Sequence, residues 1–248
     1  MEKHAVYSGT RNLYGPMQTA AKSLIANSDV DKVWLLTEGG YDYWLPDMCE
    51  VVDVSGQQWF PAGGPNMGTQ YTYMAMVRCA IALMPEFAGI DRILSLDVDT
   101  IATKTCSDVW ELPIDGCYFA AAREAHRAFG NLLYTNIGVT LFNLGMLRNG
   151  KAEECVYALN HWRYQWIEQD VMNYLCQGRI YEMPPEYNAC DFIPHTEERI
   201  RHFAAQGLSK WSKDPLVEKW RVLSWDEALE LHADAVARGR RGKEARDA

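Results

Sequence analysis

Residues 92–99 read Arg-Ile-Leu-Ser-Leu-Asp-Val-Asp, an apolar run that ends on two aspartates. In an extended strand residues i and i+2 share a face, so this pattern delivers Asp97 and Asp99 side by side at the tip of a buried strand. Carboxylates this close repel each other when both are ionised, and a hard divalent cation is the simplest compensation. The tripeptide Asp-x-Asp is also common in turns, where one aspartate caps the backbone and the other faces water. The segments around it decide between these two readings.

Strands of the same kind recur along the chain. Residues 4–10 form a short run ending at Gly9, residues 17–28 carry apolar positions at helical spacing, and residues 31–38 and 48–55 read as two further buried strands. Residues 71–85 predict one helix stopped by Pro85, which leads into the aspartate strand. Alternating strands and helices imply a mainly parallel sheet that binds its ligands beyond the carboxyl ends of the strands, where Ser8 to Asn12 and Asp97 to Asp99 both fall. The Gly- and Pro-rich segment 55–70 is too long for a simple connection and reads as a binding loop or lid.

The second half has a different texture. Residues 117–124, 135–147 and 178–189 supply strands, and residues 149–178 are mainly helical. Ser224 and Glu227 form a capping signal for a helix that runs into a basic end, expected to be disordered. The domain expected from these elements covers residues 1–222, with 223–248 as a C-terminal helix and tail.

Composition narrows the function classes. A formal net charge of −9 works against a surface that gathers nucleic acid by bulk electrostatics. The seven cysteines are odd in number, scattered and without a CxxC, which suggests neither a disulfide framework nor a zinc knuckle and fits a reducing cytosol. The N-terminal apolar run is too short for a signal peptide, so the expected location is cytoplasmic.

Five blocks in the chain resemble the retaining nucleotide-sugar transferases of glycosyltransferase family 8. They are residues 6–14, 73–85, 93–102 and 136–144, and then 168–173 followed by 187–189 and 202–211. The resemblance implies an α/β GT-A fold: a Rossmann-like, mixed and mainly parallel sheet flanked by helices and carrying a DxD motif. In that fold residues up to about 112 bind the nucleotide, and those from about 113 to 222 bind sugar and acceptor.

The same resemblance implies roles for single residues. Tyr7, Ser8, Thr10 and Asn12 lie near the base and ribose, with Thr10 where many members carry Asp. Arg78 lies over the diphosphate and sugar, with Val98 beside the nucleotide. Asp97, Asp99 and His202 hold the metal, Mn²⁺ with Mg²⁺ as the other candidate. Glu124 and Asn136 hold sugar hydroxyls, and Gly138 allows close approach. Gly207 and Lys210 contact phosphate, although the interval from His202 to Lys210 is longer than the family's. Glu168, Gln169 and Asp170 sit near the anomeric carbon as the catalytic run.

The implied function is metal-dependent, retaining transfer of a hexose from a nucleotide sugar, UDP-glucose or UDP-galactose, to a hydroxyl acceptor such as a glycan. The acceptor, whether carbohydrate, lipid-linked glycan or protein, is left open. Retention requires either a covalent glycosyl-enzyme or attack on the face that the leaving group vacates. The alternatives are a sugar-nucleotide nucleotidyltransferase, whose Gly-rich loop with a following phosphate-binding lysine is missing near the N-terminus, and a non-catalytic nucleotide-sugar-binding protein on a transferase scaffold, which would be expected to lack part of the set Asp97, Asp99 and His202. The basic end, with Arg238, Arg240, Arg241, Lys243 and Arg246, suits weak contact with an anionic membrane surface.

Overall fold

The computed structural model describes residues 1–69, 72–125, 133–204 and 206–247. In chain order the elements are β1 (His4–Gly9), α1 (Tyr14–Ala26), β2 (Lys32–Thr37), β3 (Cys49–Asp53), α2 (Tyr73–Val77), β4 (Arg92–Leu96) and β5 (Thr100–Ala102). Next come β6 (Phe119–Arg123), β7 (Thr135–Asn143), α3 (Leu144–Leu147), α4 (Lys151–His161), α5 (Ile167–Leu175), β8 (Ile180–Glu182) and β9 (Ile200–His202). The chain ends with α6 (Leu208–Trp211), α7 (Pro215–Val222) and α8 (Trp225–Asp247).

Seven strands join in the order β3-β2-β1-β4-β7-β6-β8, and β5 pairs with β9 in a separate antiparallel ribbon. Pairing is parallel from β3 to β4; β7 then runs antiparallel to both β4 and β6, and β8 is parallel to β6. The central strands are largely apolar because both faces of the sheet are covered there, whereas the edge strands β3 and β8 carry exposed Glu50, Asp53 and Glu182. Val6, Trp34, Leu36, Ile93 and Phe142 point into a core built with α2, α4 and α5. Ala5, Tyr7, Val33, Leu35, Leu94 and Leu141 point the opposite way, against α1 and Trp110.

Local winding departs from the sequence pattern in one place. The helix expected over 71–85 is α-helical only to Val77, and 3₁₀ turns continue from Arg78 to Leu83. The switch comes where the Arg78 side chain turns inward to bond the Ile137 carbonyl at 2.7 Å. At the other end, the Ser224–Glu227 capping box forms as expected, with each residue accepting the other's backbone N–H. The helix then continues to Asp247, with Gly239 lying against Asp29. Among the described residues no helix is long and apolar enough to cross a membrane.

The segment 55–70, of which Gln70 lies outside the described residues, is fastened down and does not hang free. Asn66 is buried and donates to the carbonyls of Leu159 and Trp162 at 2.6 and 2.7 Å, while its oxygen accepts from Tyr164 N at 3.0 Å. Asn160 donates to the Trp59 carbonyl at 2.7 Å. This loop is a brace on the C-terminal end of α4, and no described residue of it lines the cleft below.

Candidate active site

Strand β4 ends at Leu96, and the backbone turns at once. The Asp97 N–H donates to the Gly138 carbonyl at 2.8 Å, and the Thr100 hydroxyl donates back to the Asp97 carbonyl at 2.7 Å. Asp97 and Asp99 are therefore brought together by a turn and not by an extended strand, because Thr100 closes the backbone on Asp97. Thr100 opens β5 and pairs with His202 of β9, so the ribbon folds the imidazole back over the aspartates. His202 Nε2 lies 3.6 Å from Asp97 Oδ2 and 3.4 Å from Asp99 Oδ1. One donor atom from each of the three side chains falls within a 4.8 Å cluster. Two carboxylates and one imidazole form a donor set that fits a divalent transition cation.

Room for the imidazole comes from β7. A Cβ on Gly138 would stand 2.1 Å from His202 Cε1, 2.7 Å from Nδ1 and 2.8 Å from Nε2. The role implied for Gly138 thus becomes specific: its missing side chain is the space that the His202 ring fills. The remaining imidazole nitrogen, Nδ1, is 2.8 Å from the Asn188 amide oxygen.

Charge is balanced inside this cluster. Arg78 is buried and forms an ion pair with Asp97 through Nη2, while its Nε has no partner among the described residues. Burial opposes the charge on Asp97, yet Arg78 and His202 hold its pKa down at about 2. For His202 burial is likewise outweighed, and the Asp99 and Asp97 carboxylates keep its pKa well above the usual imidazole value. Burial pushes Glu168 up to about 7, even against the pull of Arg78.

Two lobes of one cleft meet here, sharing Arg78, Asp97, Asp99 and Glu168. The first is lined by Ser8, Thr10, Asn12, Val98 and Gly207, together with Leu13, Thr72 and Met74. The Thr10 hydroxyl donates to Asn12 Oδ1 at 2.6 Å, and the Ser8 hydroxyl to the Met74 carbonyl at 3.1 Å. Gly207 has a φ of +72°. Tyr7 is not part of this lobe: strand alternation turns its ring to the α1 side of the sheet, where it is buried. Lys210 is exposed on α6, outside the lining of either lobe, so the longer interval after His202 does not bring its ammonium into the cleft.

The second lobe is lined by Glu124, Asn136, Gln169 and His202, with Ile137, Trp166 and Phe192 as its apolar walls. Gln169 spans it: Nε2 donates to Glu124 Oε2 at 2.9 Å and to the Tyr134 hydroxyl at 3.1 Å, and Oε1 accepts from Ile137 N at 3.3 Å. Asp170 is turned away. One oxygen accepts from the Tyr134 hydroxyl at 2.7 Å and the other from Trp166 N at 2.9 Å, so it anchors the start of α5 and does not reach the cleft. Just before Glu168, buried Ile167 has a φ of +31°, a conformation that costs a β-branched residue about 1–3 kcal/mol.

Asn188 and Phe192 carry no role in the sequence reading, whereas Trp166 closes the aromatic run 161–166, which could stack on sugar rings. Asn188 lies in the 187–189 block, and that membership is the signal that could have found it. Trp166 and Phe192 sit in irregular segments, where no periodicity shows which way a ring points.

The family model described as glycosyl transferase family 8 matches residues 65–206. Glycosyltransferase GlyE of Streptococcus pneumoniae serotype 4 is 25% identical over 203 residues, covering 75% of this chain and 48% of the relative. A Haemophilus influenzae protein is 26% identical over 153 residues, 55% of this chain and 45% of its own length. The chain therefore spans about half the length of these curated relatives. Among solved structures, GlyE from Streptococcus pneumoniae TIGR4 superposes with a TM-score of 0.71 at 23% identity, covering 95% of this chain and 64% of that one. The galactosyltransferase LgtC in complex with donor and acceptor sugar analogs gives 0.64 at 16% identity, covering 90% and 98%. These likenesses establish the GT-A fold.

Proposed function

The chain belongs to glycosyl transferase family 8, and on that premise we propose that it is a metal-dependent, retaining hexosyltransferase using a UDP-hexose donor and a glycan hydroxyl as acceptor. The observation that carries this reading is the convergence of Asp97, Asp99 and His202 at the junction of the two lobes. These three side chains would hold the cation, and the imidazole nitrogen favours Mn²⁺ over Mg²⁺. When bound, the cation supplies charge stabilisation to the departing diphosphate.

The chain's own residues divide the rest of the work. Ser8, Thr10, Asn12, Leu13, Met74 and Val98 receive the nucleoside, and Gly207 offers backbone beside the phosphates. Arg78, whose Nε is unpartnered, is the side-chain cation in place for the diphosphate; Lys210 is not. Asn136 commits its oxygen to Gly138 N–H and Asn188, so it offers the sugar N–H donors only. Both Asp170 oxygens are engaged, which removes it as a nucleophile. Glu168 faces the junction, but burial raises its pKa to about 7, so only about half of it is the nucleophilic carboxylate at neutrality. Retention by front-face attack is favoured on this ground. The acceptor oxygen bonds C1 as the C1–O bond breaks; the bonding pair leaves with the diphosphate, and a diphosphate oxygen takes the acceptor proton.

The test is release of UDP and hexose from UDP-glucose and UDP-galactose by the purified full chain with Mn²⁺. Chelation or Asp99→Ala should abolish it. Undiminished turnover in excess chelator rules the assignment out.

A further inference from the structure

Three buried amide groups in a row determine which nitrogen of His202 faces the aspartates. The Gly138 N–H donates to the side-chain oxygen of Asn136 at 3.0 Å. A backbone N–H requires an acceptor, so the orientation of the Asn136 amide is fixed. Asn188 Nδ2 then lies 3.1 Å from the Asn136 carbonyl and 3.0 Å from the Asn136 side-chain oxygen. Turning the Asn188 amide over would set its own oxygen against two oxygens, so it too has one orientation. Its Oδ1 faces His202 Nδ1 at 2.8 Å and can only accept, which places a proton on Nδ1. Asn188 is fully buried and His202 nearly so, so water offers neither a substitute.

We propose that Asn188 is a positioning residue of the metal site, fixing the His202 tautomer and ring angle so that the Nε2 lone pair points to a cation shared with Asp97 and Asp99. The inference rests on the reading that these three residues bind a metal. It assigns the Asn188 amide no contact with donor or acceptor: its effect passes through His202. Because the same amide is bonded to Asn136, a residue of the sugar lobe, the imidazole and the sugar-facing amide are held in one register.

Mn²⁺ binding to the full chain, followed by electron paramagnetic resonance with UDP present, provides the test. Asn188→Ala should weaken Mn²⁺ binding about 10- to 100-fold, the usual effect of removing a partner behind a metal-bound histidine. Asn188→Asp keeps an acceptor for Nδ1–H and loses the donor to Asn136; it should bind Mn²⁺ more tightly than Asn188→Ala. Asn66→Ala, a buried amide on the α4 brace, controls for general destabilisation and should leave Mn²⁺ affinity unchanged. In metal-free protein labelled with ¹⁵N-histidine, a slowly exchanging His202 Nδ1–H signal should be present in the native chain and absent from Asn188→Ala. Native protein that binds no Mn²⁺ overturns the metal reading. Native protein that binds Mn²⁺ while Asn188→Ala binds it equally well overturns the role of Asn188, as does an Asn188→Asp variant no tighter than Asn188→Ala.

Discussion

Gly138→Ala is a one-carbon change whose consequence follows from the geometry. The new Cβ would stand 2.1 Å from His202 Cε1, against about 3.4 Å for ordinary van der Waals contact, so 3.4 − 2.1 = 1.3 Å must be found. Neither backbone is free to yield. Gly138 lies inside β7 with its carbonyl accepting from Asp97 N, and His202 donates its N–H to the Ala189 carbonyl at 2.9 Å while pairing with Thr100. The imidazole must therefore swing away, losing the bond from Nδ1 to Asn188 and the approach of Nε2 to both aspartates. Overpacking of this kind costs about 1–3 kcal/mol. The displaced ligand should lower Mn²⁺ affinity at least about ten-fold, the lower end of what a disturbed ligand partner alone produces. Titration of Mn²⁺ by electron paramagnetic resonance, alongside thermal denaturation without metal, separates the two effects. An alanine variant with native Mn²⁺ affinity refutes the claim that Gly138 exists to seat the ring.

Gln169→Ala should lower kcat about 100-fold, the scale of a misplaced reacting group, while calorimetric UDP affinity stays native because Gln169 lines only the sugar lobe; lost UDP affinity with native turnover contradicts that placement. Glu168 has a folded pKa of about 7 against 4.5 for a free glutamate, so its protonated form favours the native state. That contribution is complete below pH 4.5 and is lost as pH rises through 7, a difference of up to about 3 kcal/mol in metal-free protein. Glu168→Gln should flatten the change, and urea midpoints for the variant that fall between pH 5 and 8 as steeply as the native ones would remove this assignment. Truncation after Ala237 keeps the buried α8 residues Trp225, Ala228 and Ala235, so donor hydrolysis should survive; a large loss on a soluble substrate would show that the basic end acts on the fold or the site.

The central strands were legible because a sheet covered on both faces makes them largely apolar runs, and a run such as 92–96 has few other places in a fold. Facing was less legible. Tyr7 and Ser8 are adjacent in β1 and cannot both face the ligand; alternation alone separates them, with Ser8 in the cleft and Tyr7 in the core. Along α5 each step turns about 100°, so Glu168, Gln169 and Asp170 point three ways. Which of them meets the cleft depends on how the helix is seated, and nothing local in the sequence encodes that. The turn at Asp97 and the 3₁₀ winding after Val77 were hidden for the same reason: both depend on bonds to β7, far away in sequence.

The cleft therefore has two sides with different mechanical character. On one side β4 and β7 are paired in the sheet and the β5–β9 ribbon folds over them, with Gly138 accepting from Asp97, bonding Asn136 and leaving room for His202. On the other side α5 begins at a residue in an unfavourable conformation. Ile167 holds its φ because its side chain is buried and because Asp170 accepts from Trp166 N and from the Tyr134 hydroxyl, fastening the turn on both sides of it. Charge-assisted hydrogen bonds of this kind contribute about 1.5–3 kcal/mol each, enough together to offset the local strain. A relaxed Ile167 would alter the direction in which the next two side chains leave the backbone, and those are Glu168 and Gln169. Gln169 joins the two sides by accepting from Ile137 N of β7. The acidic run thus divides its labour: Glu168 faces the junction, Gln169 bridges to the sheet, and Asp170 holds the strained turn that aims them both.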